Sequence, residues 1–199
     1  QFNIHVAVRD IYEHLVFEDL AATLHRRTQS LHGEKGPERV HAFEADGALP
    51  LDMCFAPGFE SMQLKSPEHT LLTGATGFVG IHLLHQLLAT SIAHIHCPIR
   101  CDNTPAGLVR LQQVSERYQV PISESDWKRI HVYVSDLADE QLGLGKEMFT
   151  HLARCVDVVY HSASAVNFIM PYSYMRRDNV EGLKQILHFC GAQKTKALM

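Results

Sequence analysis

The run His69-Thr70-Leu71-Leu72-Thr73 passes directly into Gly74-Ala75-Thr76-Gly77-Phe78-Val79-Gly80, and this stretch decides the fold. Its first five residues predict a strand, and residues 78–90 predict a helix carrying Val79, Leu83, Leu84, Leu87 and Leu88 on one side. The three glycines between them have separate uses. Gly74 permits the tight turn, Gly77 lets the backbone approach a pyrophosphate with no Cβ in the way, and Gly80 lets the helix pack closely on its strand. The free N–H groups and positive dipole end of that helix favour an anion. A loop shaped only for packing would also use glycines. The strand before and the helix after favour an anion site, one that Gly74, Thr76, Gly77, Phe78, Val79 and Gly80 would line.

Outward from this turn the pattern alternates. Strands are expected at 92–97, 130–134 and 155–160, and helices at 105–118, 145–154 and 172–190. Such an order predicts an α/β fold with a doubly wound parallel sheet, the N-terminal half of a Rossmann domain, over residues 69–199. Upstream, Val8, Ile11, Tyr12, Leu15, Leu20, Ala21 and Leu24 recur at helical spacing in residues 1–27, with a break near His14-Leu15, so two short helices are expected there. Residues 28–68 carry Gly33, Gly36, Pro37, Gly47, Pro50, Pro57, Gly58 and Pro67 without periodicity, the composition of a linker.

Composition narrows the partners. The 199 residues are 46% hydrophobic and 20% charged, with a formal net charge of -4, and no basic stripe is available for nucleic acid or an anionic membrane. A small ligand or a protein is the expected partner. No apolar run approaches the about 20 residues of a membrane span, and no export signal is visible, so the cytoplasm is the expected compartment. Five scattered cysteines (Cys54, Cys97, Cys101, Cys155 and Cys190) suit reduced thiols better than a disulfide framework. Cys97 and Cys101 have no second ligand pair, and the 14 histidines form no His-x-x-x-His or His-Glu-x-x-His pairing on one helix, so no metal is assigned.

Selection between nicotinamide cofactors belongs at the end of the second strand, about 20 residues after the glycine turn, where an acid would hold a ribose 2′-hydroxyl and a cation a 2′-phosphate. Arg100 stands there, with Arg110 in the next helix able to converge on the same phosphate through its forked guanidinium; Asp102 leaves the dinucleotide without that phosphate open. Either arginine also suits a solvated surface position. Asp136 and Leu137 follow the third strand, where the carboxylate suits an adenine amino group or, equally, an N-cap or turn. After the fourth strand Ser162, Ala163 and Ser164 are small enough to leave room for a ribose and a nicotinamide ring, or to form a tightly packed loop.

Together, residues 72–80, Cys97-Pro98-Ile99-Arg100, Asp136-Leu137, residues 158–167, and Pro171-Tyr172 leading to Asn179-Val180-Glu181-Gly182 resemble the extended short-chain dehydrogenase/reductases. Among these they look most like the thioester reductases: terminal reductase domains of nonribosomal peptide and polyketide synthases, carboxylic acid reductases and aminoadipate reductase. Residues 4–14 followed by 17–21 are similar to the last two helices of an acyl or peptidyl carrier domain; a pair of docking helices is the other reading. The resemblance implies NADPH as hydride donor and, as partner, an acyl or peptidyl thioester on a carrier's phosphopantetheine, released as aldehyde or alcohol. Fatty acyl-CoA reductases, nucleotide-sugar epimerases or dehydratases, and a non-catalytic nucleotide-binding fragment are the alternatives.

The family's proton-donating machinery is a Ser/Thr with a Tyr-x-x-x-Lys pair, and no Tyr-x-x-x-Lys spacing occurs in these 199 residues. No catalytic residue is therefore assigned. Asn179 falls near a family catalytic position, with support of helix geometry or of a water as its expected role. The chain starts at Gln1 and stops at Met199, where a fifth strand would begin, so a fragment is expected, with the fourth strand presenting an unpaired edge that invites self-association. Pro98 departs from the family's usual aliphatic residue and forfeits a ladder hydrogen bond, which points to an early end of the second strand.

Overall fold

The computed structural model describes residue 10 and residues 16–29, 38–49, 53 and 66–199. By contacts the chain divides into two compact units, residues 1–48 with 166–174, and residues 49–165 with 175–199. In the first unit α1 spans Phe17–Gln29 and α2 spans Glu38–Gly47. The earlier of the two helices expected in residues 1–27 lies outside the described residues apart from Asp10. Helix α2 stands where linker composition pointed to none; Ala42, Ala45 and two glutamates are good helix formers among the glycines and prolines. Its Phe43 ring packs on Tyr172, with centroids 4.5 Å apart, and the Tyr172 hydroxyl donates to Asp46.

The second unit alternates as the sequence predicts: β1 His69–Thr73, α3 Phe78–Thr90, β2 His94–Ile99, α4 Thr104–Arg117, a short α5 Glu124–Trp127, β3 Ile130–Val134, α6 Lys146–Cys155 and β4 Val158–His161. Helix α7, Tyr172–Arg176, lies across the division between the units, and a π-helical turn Arg177–Glu181, α8 Gly182–Gly191 and β5 Ala197–Leu198 follow in the second. The five strands pair in the order β3-β2-β1-β4-β5, every pair parallel. Alternate residues of β1 feed two cores. Leu72 joins Ile81, Leu84, Ile95 and Leu111 beneath α3 and α4, while Leu71 joins Leu152, Val159, Ile186 and Phe189 beneath α6 and α8. Both faces of the sheet are covered, which is why its strands read as apolar runs.

Several local expectations are corrected. The buried face of α3 is Gly80, Ile81, Leu84, Leu87 and Leu88, whereas Val79, in the first turn, is exposed. Strand β2 does not stop before its proline but runs through Pro98 to Ile99. The amide of Ile95 and the carbonyl of Ile99 both face β3, so by the two-residue alternation the nitrogen of Pro98 faces β1. The β1–β2 register ends at Leu71↔His96, where Pro98 has no N–H to continue the ladder toward β1, while pairing with β3 runs on to Ile99↔Val134. The single helix expected at 172–190 runs from Tyr172 to Gly191 and carries the π turn within it. The edge of β4 is not bare: Ala197 and Leu198 pair with Val158 and Val159, and the His161 amide donates to the Met199 carbonyl at 3.0 Å. No helix among the described residues is long and apolar enough to cross a membrane.

Candidate functional site

Strand order reverses at β1, with β2 and β3 on one side and β4 and β5 on the other. Ligand crevices in open α/β sheets form at the carboxyl ends of the strands where the order reverses. An open cleft of about 380 Å³ lies there, lined by Gly74 after β1, Arg100 after β2, Ser135 after β3 and Ser162 after β4. It brings together ten of the thirteen residues singled out in the sequence: Gly74, Thr76, Gly77, Arg100, Arg110, Asp136, Leu137, Ser162, Ala163 and Ser164. The other three, Phe78, Val79 and Gly80, form the first turn of α3 outside this lining.

The glycine turn has no room for side chains. Gly74 has φ +71°, and a Cβ there would lie 2.7 Å from the Ala163 nitrogen. A Cβ on Gly80 would meet the Gly74 carbonyl oxygen rather than the strand, so the third glycine serves contact between the turn and the helix start. Gly77 is the N-cap of α3, with no side-chain cap, and its amide donates to the Gly74 carbonyl at 2.8 Å. The opposite wall is tied to the same turn. The Ser162 hydroxyl donates to the Thr73 carbonyl at 3.0 Å, and the Ala163 amide donates to the Thr73 hydroxyl, which also lies 2.8 Å from His161 Nδ1. Burial pushes the His161 pKa down.

At the other end the charged groups hold one another. Arg100 donates to Asp178 at 3.2 Å, and Arg110 donates to the Arg100 carbonyl at 2.8 Å. Asp136 accepts the Ala138 amide at 3.1 Å with one carboxylate oxygen and an Arg177 N–H at 3.1 Å with the other. Burial raises the Asp136 pKa, but the Ala138 amide, Arg177 and Arg100 outweigh it and hold the carboxyl below its ordinary range. Asp136 is thus a turn residue with an ion pair as well as part of the cleft wall. Pro98, Ile99, Ser135, Ala138, Ala165 and Asp178 also line the cleft and are not among the thirteen. No sequence signal marked Arg177 or Asp178, since they sit in a helix about 40 residues beyond Asp136.

Asn179 clasps the wall after β4. Its side-chain oxygen accepts the Ala165 amide at 2.7 Å and its side-chain nitrogen donates to the Ala165 carbonyl at 2.9 Å. Single π turns inside helices recur at functional sites, and this one contains Asn179.

Residues 72–199 match the NAD-binding family model described as Male sterility protein (NAD_binding_4). The chain is similar to the isonitrile lipopeptide synthase of Streptomyces coeruleorubidus, at 31% identity over 195 residues, covering 96% of this chain and 13% of that protein. Among solved structures it is similar to the terminal R domain from the myxalamid PKS-NRPS biosynthetic pathway, with 31% identity and a TM-score of 0.70 over 79% of this chain and 40% of that one. A thiolation-reductase di-domain from an archaeal non-ribosomal peptide synthetase is also similar, with 27% identity and a TM-score of 0.55 over 65% of this chain and 34% of that one. The chain therefore spans less than half the length of each of these relatives.

Proposed function

The chain belongs to the NAD-binding family of the male sterility protein, and on that premise we propose that it supplies the NADPH-binding part of a thioester reductase. The parent activity is release of a carrier-bound acyl or peptidyl chain as an aldehyde or alcohol. The observation that carries this reading is the backbone cradle at Gly74 and Gly80, which a Cβ would fill, opening into a cleft where strand order reverses. A dinucleotide fits this cradle.

NADPH, when bound, supplies the hydride. The chain's own residues bind and orient it. Backbone N–H groups from Gly74 to Gly80 hold the pyrophosphate, with the dipole of α3 behind them. Arg100 and Arg110 hold the 2′-phosphate, Arg100 exchanging the Asp178 carboxylate for it. Asp136 and Leu137 border the adenine, and Ser162, Ala163 and Ser164 leave room for the nicotinamide ribose. Support for a carrier-borne substrate comes from the relatives, of which one is a thiolation-reductase di-domain and another a lipopeptide synthase.

Calorimetric titration of the 199-residue chain with NADPH and with NADH tests the cofactor assignment. Saturable binding with a preference for NADPH of at least about tenfold, or about 1.4 kcal/mol, is expected. No saturable binding, or equal affinity for both, would overturn it. For the reaction, the native protein should consume NADPH only with an acyl phosphopantetheine thioester present and should free the thiol; NADPH consumption without thioester cleavage would count against it.

A further inference from the structure

A second cluster lies at the amino-terminal edge of the sheet, the end away from the cleft. His69 opens β1, His94 and His96 lie on β2, His131 lies on β3, and Cys155 ends α6. His69 Nδ1 lies 3.0 Å from His96 Nε2, and His94 Nδ1 lies 2.9 Å from His131 Nε2. The rings pack as a lattice, with centroids 5.1 Å apart for His96 and His131 and 5.5 Å apart for His69 and His94. Parallel strands covered on both faces ordinarily carry aliphatic side chains, and buried imidazoles are costly unless each nitrogen has a partner. His96, only 4% exposed, sits in the middle of such a strand.

We propose that His69, His96 and Cys155 form a binding site for a zinc-type divalent transition metal. One ligand atom from each lies within 4.8 Å of the other two, and among the described residues this is the one group of three that meets that condition. Two imidazoles and a thiolate suit zinc, which takes three protein ligands and leaves its fourth position to water. The surroundings suit it as well. His96 Nδ1 lies 2.9 Å from the Tyr133 hydroxyl, which fixes the ring and turns Nε2 toward His69, the outer-shell arrangement of metal-ligating histidines. The gap between the two nitrogens widens only to about 3.3 Å when two zinc–nitrogen bonds of about 2.0–2.1 Å meet at a tetrahedral angle.

Binding is a ligand exchange with no redox step. The metal takes lone pairs from His69, His96 and the Cys155 sulfur, the Cys155 thiol proton goes to solvent, and each imidazole stays neutral. The sequence concealed the site because its ligands stand 27 and 59 residues apart, and parallel pairing of β1 with β2 and the return of α6 bring them together. The ion would clasp β1, β2 and the end of α6, stabilising the folded state by mass action.

Cobalt(II) is the probe. Titrated into the reduced, metal-free 199-residue chain, it should give one saturable site with a thiolate-to-cobalt charge-transfer band. The band should disappear in Cys155→Ser, and Tyr133→Phe should bind about tenfold more weakly. A measurement on the unsubstituted chain guards against misfolded variants: zinc should slow iodoacetamide alkylation of Cys155 by about tenfold or more relative to Cys101, because a coordinated thiolate is no longer a free nucleophile. No charge-transfer band, a band that survives Cys155→Ser, or alkylation of Cys155 unchanged by zinc would overturn the site.

Discussion

A Cβ placed on Gly80 would stand 1.9 Å from the carbonyl oxygen of Gly74, so the first turn of α3 rests on the backbone of the turn that precedes it. Neither element can retreat, since Gly74 is itself held against Ala163. Gly80→Ala should therefore cost at least the about 1–3 kcal/mol typical of overpacking and abolish NADPH binding. Gly77→Ala, whose Cβ would lie 3.2 Å from the same oxygen, should cost less stability and still weaken NADPH binding. Urea unfolding and NADPH titration of both variants give the comparison; equal stability losses would contradict it.

The exposed pair of Arg100 and Asp178 competes with a 2′-phosphate for the same guanidinium. Exposed pairs contribute about 0–1 kcal/mol, so freeing Arg100 should alter binding by a few-fold at most. Asp178→Ala is expected to raise NADPH affinity and leave NADH affinity unchanged, and Arg100→Ala to lower NADPH affinity alone. Calorimetry with both nucleotides decides this, and weaker NADPH binding in Asp178→Ala would refute the competition.

Asn179 holds the Ala165 backbone by donating and accepting at once. Asn179→Ala leaves that amide and carbonyl without their partner, at a cost of about 1–3 kcal/mol, and should loosen the wall that carries Ser162 to Ser164. Asn179→Asp keeps the acceptor and loses the donor, so its melting temperature should fall between wild type and alanine. A melting temperature for the alanine variant equal to wild type would show that the clasp contributes nothing.

Asp136 supplies a pH dependence. Its carboxyl titrates below the ordinary value of 3.8 because the Ala138 amide and two arginines outweigh burial. A lowered carboxylate pKa stabilises the fold fully above the unfolded value, and that stability disappears as pH falls through the folded one. The difference in urea midpoint between wild type and Asp136→Asn should thus be constant near neutral pH and shrink below about pH 4. A difference that persists at the acid end would assign it to geometry instead of charge.

Lys196 Nζ donates to the carbonyls of Phe189, Ala192 and Lys194 at 3.1, 2.7 and 2.7 Å, closing the end of α8 just before β5. Lys196→Met keeps the bulk and removes the donors. It should destabilise by about 1–3 kcal/mol while leaving NADPH affinity unchanged.

The strands at His69–Thr73 and Ile130–Val134 and the helix at Phe78–Thr90 stand at the residues the sequence indicated, because each is bounded by punctuation that acts locally. Ten cleft residues were legible for the same reason: each follows the carboxyl end of a strand, apart from Arg110 in the second turn of α4. Strand β2 was misread because the effect of a proline depends on which neighbour its nitrogen faces, and that is a property of the sheet. The cover over β4 was missed because the strand that forms it, Ala197–Leu198, is only two residues long.

The sequence by itself determined the doubly wound sheet, the position of the glycine cradle and the arginine that follows the second strand, since turn sterics and hydrophobic period operate over a few residues. Only the tertiary structure decided that Arg100 is held by Asp178, that Asn179 clasps Ala165, and that four histidines and Cys155 meet at one sheet edge. Those contacts join residues that stand far apart along the chain, and strand register and helix return, which no local pattern encodes, bring them within hydrogen-bond reach.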